Sequence, residues 1–102
     1  MSDTPLPPAS FEFLILSMKM QADLQLGLLH FGDDKEEPEV NLPLAHHTID
    51  LLALIQEKTK GNLTLEEQRL VENTLTELRF RYVQVRDEAA KKQQQTASTT
   101  AE

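Results

Sequence analysis

Residues 41–82 read NLPLAHHTIDLLALIQEKTKGNLTLEEQRLVENTLTELRFRY. This stretch decides the fold, because it holds a helix start, a helix stop, a connector and a second start in that order. Asn41 suits an N-cap, and Pro43 falls in the first turn, where its missing N–H leaves no hydrogen bond unmade. A helix is expected over Leu42–Lys58, with Leu44, Thr48, Ile49, Leu51, Leu52 and Ile55 inward and His46, Asp50 and Glu57 on the opposite side. Lys58 and Lys60 complement its dipole, and Gly61 supplies a left-handed residue to end it. Thr64-Leu65-Glu66-Glu67 is a capping box, so the next helix starts there. Leu70, Val71, Leu75, Leu78, Tyr82, Val85 and Ala89 form its inner stripe, which carries the helix to about Ala90, roughly 40 Å in length. Glu77–Arg81, Asp87–Lys91 and Glu88–Lys92 are i,i+4 pairs along it.

Upstream, the spacing predicts a first helix over Phe11–Leu29, capped by Ser10 and ended by Gly32 with Asp33-Asp34. It carries two apolar faces. One holds Phe11, Leu14, Ile15, Met18, Ala22, Leu26 and Leu29. The other holds Phe13, Leu16, Met20, Leu24 and Leu28, with Phe31 beyond them. Only a narrow strip with Glu12, Lys19 and Asp23 is firmly polar. A helix apolar nearly all round must be covered on most sides, and three helices in 102 residues do not provide enough cover. Phe80 and Val83 likewise lie opposite the inner stripe of the third helix. These eight residues (Phe13, Leu16, Met20, Leu24, Leu28, Phe31, Phe80 and Val83) are the expected interface. The fold class is all-α: a three-helix domain made of a helical hairpin and an N-terminal helix, assembled as a homodimeric bundle. Residues 1–9, with three prolines, read as a disordered lead. Residues 10–90 form the single domain, and residues 91–102 a disordered polar tail.

The bulk composition narrows the function. With 17 acidic against 10 basic residues, the net charge is −7, which argues against nucleic acid as a partner, since phosphate binding draws on clustered Lys and Arg. Arg69, Arg79, Arg81 and Arg86 are interleaved with acids and read as a mixed surface. The longest apolar run, Phe13-Leu14-Ile15-Leu16, is far short of the roughly 20 residues that span a membrane. No basic segment precedes an apolar one at the N-terminus, so no signal peptide is expected. The chain has no cysteine, so disulfides and thiolate metal sites are absent, in keeping with a reducing compartment.

The search for chemistry finds little. His46, His47 and Asp50 are the best candidates for a metal or small ligand, but zinc needs three or four converging donors, and a solvated polar stripe with an ordinary His–Asp helix pair is the better explanation of them. Lys58-Thr59-Lys60-Gly61-Asn62 lacks the glycine spacing of a phosphate loop and sits at a helix C-terminus, which repels anions. No serine or threonine has a base placed beside it. The expectation is therefore a non-catalytic protein-interaction module, not an enzyme and without cofactor. The alternative is a ligand- or metal-binding bundle using His46, His47 and Asp50.

Phe11, Leu14, Ser17, Gln21-Ala22, Leu26-Gly27, Pro38, Leu42, Ala45, Thr48-Ile49-Asp50, Leu52, the run EKTKGNLT over 57–64, Glu67, Leu70, Leu75, Glu77-Leu78-Arg79 and Tyr82 together resemble a small bacterial family catalogued only as a domain of unknown function. The resemblance spans residues 10–85, and EKTKGNLT followed by ELRxxY is its most specific part. It implies a bacterial, cytoplasmic, helical protein and transfers no catalytic or ligand residue.

Overall fold

The computed structural model describes the backbone of residues 6–29 and 39–100 and the side chains of residues 6–29 and 39–92. Three helices follow in chain order, α1 Phe11–Gln25, α2 Leu42–Lys58 and α3 Leu65–Thr100, and each packs on the other two. Among the described residues there is no strand.

The hairpin forms as its punctuation dictates. The Leu44 amide donates to Asn41 Oδ1 at 3.1 Å. At the start of α3 the two halves of the capping box are both made: Glu67 N–H donates to Thr64 Oγ1 at 3.1 Å, and Thr64 N–H donates to Glu67 Oε1 at 2.8 Å. Between them Gly61 takes φ +86°, a conformation that costs an L-residue about 1–2 kcal/mol.

The first helix ends earlier than its apolar pattern suggests. Gly27, at φ +76°, stops it, and Gly32 lies outside the described residues. The Leu28 amide donates to Asp23 O at 2.9 Å and the Gly27 amide to Leu24 O at 3.0 Å. This pair of bonds is a Schellman C-cap. It turns the chain so that Asn41 N–H reaches Gln25 O at 2.7 Å, setting the start of α2 beside the end of α1. Thr48 adds a side-chain link, its hydroxyl donating to Gln25 Oε1 at 2.6 Å. Thus α1 and α2 are antiparallel.

The third helix runs past Ala90 to Thr100. No glycine or proline stands between Leu65 and Thr100 to stop it, and Gln and Ala favour helix. The expected lead over residues 1–9 falls partly outside the described residues, as do the side chains of the expected tail.

The core is Ile15, Ala22 and Leu26 from α1 and its cap, Ala45, Ile49 and Leu52 from α2, and Val71, Leu75 and Leu78 from α3. Three expected inward residues face out: Leu14, Leu44 and Leu51. Small Ala45 and Thr48 take the inner positions of α2, and the bulkier Leu44 and Leu51 stand at the rim.

Candidate functional site

The largest departure from the sequence reading is Asp23. Expected on a solvated strip, it is 7 % exposed and faces α3. Arg81 Nη1 donates to both Asp23 oxygens, at 2.8 and 2.7 Å. Its Nη2 donates to Glu77 at 2.9 Å, and Lys19 Nζ lies 2.9 Å from the other Glu77 oxygen. Four charges thus alternate in sign across the α1–α3 seam. The cross-helix partners, 19 with 77 and 23 with 81, are each 58 residues apart. A constant offset means that α1 and α3 run parallel. Geometry accounts for the inward Asp23, because an Arg guanidinium presents two N–H groups to a carboxylate. The signal was half visible in the sequence, where Glu77–Arg81 read as an intrahelical pair, but its third member lies 58 residues away.

The Glu77 carboxyl is held below its usual range, chiefly by the hydrogen bond from Lys19, with Arg81 adding to it. Arg81 is raised above its ordinary value, mainly by its bond to Asp23. A depressed carboxylate stabilises the fold above the unfolded value and loses that contribution as pH falls through the folded one. Stability is therefore expected to decline as pH drops below about 4.5, and Glu77→Gln is expected to flatten that slope. Urea unfolding between pH 6 and pH 3 measures it, and identical slopes for the two proteins would refute the assignment. The raised Arg81 contributes fully throughout this window and loses that contribution only at pH values far above it.

The structure brings His46 and Asp50 together but does not add His47. His46 Nδ1 stands 3.0 Å from Asp50 Oδ2, and both side chains are more than half exposed. The His46 ring meets Tyr82 of α3 edge-on, with centroids 5.5 Å apart. Among the described residues no three or more His, Asp or Glu side chains converge to hold a metal ion. Several hydroxyls serve the backbone: Ser10 caps α1, Ser17 donates to Phe13 O, and Thr59 to Ile55 O.

Two open grooves flank the hairpin. One, about 500 Å³, lies at the joint N-terminal end of α1 and α3 between Glu12, Glu66, Glu67 and Arg69. The other, about 240 Å³, lies at the hinge between Glu57, Lys60, Gln68 and Glu72. Each mixes both charges.

The remaining feature is apolar. Phe13, Leu16, Met20 and Leu24 on the outside of α1, and Leu28 just past its end, are all 43–55 % exposed. Phe80 of α3 is 65 % exposed, and Val83 is also exposed. Of the eight expected interface residues, seven are exposed, and Phe31 lies outside the described residues. Leu14 on α1 and Leu44, Leu51 and Leu54 on α2 are exposed as well, apolar surface that the sequence reading placed inside or did not single out. Among the described residues no helix is long and apolar enough to cross a membrane.

No curated protein and no solved structure matches the chain. A family model for a domain of unknown function matches residues 8–84, the whole bundle up to the middle of α3. The expected resemblance to a small domain-of-unknown-function family therefore holds, and the chain belongs to the family described as domain of unknown function DUF1844, whose function is uncharacterised.

Proposed function

We propose that the protein is a non-catalytic, dimeric helical interaction module of the bacterial cytoplasm, which self-associates through the outside of α1. The observation that supports this is the row Phe13, Leu16, Met20, Leu24 and Leu28, left open by a bundle whose inner face is already filled. Contiguous apolar surface of this kind marks association sites on water-exposed domains. A domain of about 80 residues also buries too little surface to be more than marginally stable alone, so association adds stability where it is needed. Phe80 and Val83 on α3 extend the surface available to a second copy or to another protein.

Light scattering is expected to give twice the mass of one chain at micromolar concentration. Leu24→Asp, which places an unpaired carboxylate in the contact, is expected to reduce it to a single chain. Asn62→Asp, at an exposed position of the hinge, should leave the mass unchanged. A single-chain mass for the unsubstituted protein would refute the proposal.

A further inference from the structure

The exposed residues of α1 have a geometry that names an occupant and its direction. Leu16, Met20 and Leu24 are spaced four apart and form one raised i±4 ridge, with exposed Leu28 just past the helix end. The neighbouring i±4 row is Phe13, Ser17 and Gln21, low at Ser17. A ridge beside a shallow groove on one surface is self-complementary. This is what a two-fold contact requires, since each copy offers the same patch to the other. Ridges of this row packed into grooves of the same row cross at about −50°.

Charge points to the same occupant. The chain carries net charge −7, so a second copy is repelled by most of the surface. The ridge and groove residues from Phe13 through Leu16, Ser17, Met20, Gln21, Leu24 and Leu28 are all uncharged. Such a face offers nothing to an acidic or basic partner and admits a like-charged copy without burying a carboxylate.

Direction follows from the bundle. Because α1 and α3 run parallel and α2 opposes them, one helix dipole is left uncompensated. A partner running the other way cancels it, and one running the same way doubles it.

Resting on the self-association reading above, we infer that two copies pack α1 against α1 antiparallel, with the two-fold axis at Met20. Met20 then meets Met20 of the second copy, and Leu16 meets its Leu24.

The chain has no cysteine, so single substitutions report directly. Leu16, Met20 and Leu24 are all on the surface, so the fold tolerates replacement, and circular dichroism checks it. Under copper-phenanthroline oxidation, Met20→Cys is expected to become mostly covalent dimer. Leu16→Cys alone and Leu24→Cys alone should give little, since like positions then lie about 12 Å apart along the axis. Their equimolar mixture should give the 16-to-24 link, identified by peptide masses after cleavage at Lys19. Homodimers formed by Leu16→Cys alone and by Leu24→Cys alone would show parallel packing and overturn the inference while leaving self-association intact. Failure of Met20→Cys to link in a protein whose dimer Leu24→Asp dissociates would overturn it as well. A single-chain mass for the unsubstituted protein would overturn both readings.

Discussion

Leu78→Ala is expected to lower stability by about 3 kcal/mol, because Leu78 is fully buried where α3 meets the other two helices. Truncating a buried leucine loses its transfer free energy and leaves a cavity that neighbours close only in part, for a total of about 2–5 kcal/mol. Rigid helices on either side, fixed by caps at Ser10, Asn41 and Thr64, limit that collapse. For a domain of this size each kcal/mol moves the melting temperature by about 4–8 °C, so a drop of roughly 12–24 °C should appear in a thermal melt. Leu65→Ala, at an exposed position of the same helix, should fall within about 0.5 kcal/mol of the unsubstituted protein. Similar losses for the two variants would mean that α3 does not pack as described.

Arg81→Met is the second large effect. It removes the Nη1 donor that bonds both oxygens of a carboxylate that is 7 % exposed and strands the Asp23 charge between helices. Breaking a fully buried pair costs about 3–5 kcal/mol, and the part-exposed Arg81 head reduces this to about 2 kcal/mol. The double variant Asp23→Leu, Arg81→Met should be more stable than Arg81→Met alone, because the stranded charge is gone. Urea unfolding of the three proteins gives the coupling directly. A double variant no better than the single one would show that Asp23 is adequately solvated without its partner.

The parts of this fold written in local grammar were legible in the sequence. Asn41, Gly61 and the Thr64–Glu67 pair act on residues within a few positions of themselves, so reading them needs no knowledge of the rest of the chain. The bounds of α2 and the start of α3 followed correctly. The end of α1 did not, because the apolar pattern continues through Leu28 and Leu29 while the backbone stops at Gly27. An apolar residue just after a glycine also suits a Schellman cap, and periodicity alone does not separate the two. The reading missed Asp23 for a different reason. On a helix wheel a carboxylate counts as polar and is assigned outward, whereas its actual direction is set by an arginine 58 residues away. The outer face of α1 was legible as surplus apolar surface, since three helices offer only one interior. Leu44 and Leu51 were assigned inward, and Ala45 was passed over, because hydrophobicity ranks leucine above alanine.

The length of α3 gives the Asp23–Arg81 bond a mechanical meaning. With 36 residues, α3 is roughly 54 Å long, so a rigid rod of this length hinged near Gly61 would act as a lever. A tilt of about ten degrees there would sweep its far end through roughly 9 Å over that length. Arg81 sits near the midpoint of the lever and is strapped to α1 by two short bonds, so a contact between two side chains fixes the bearing of everything beyond it.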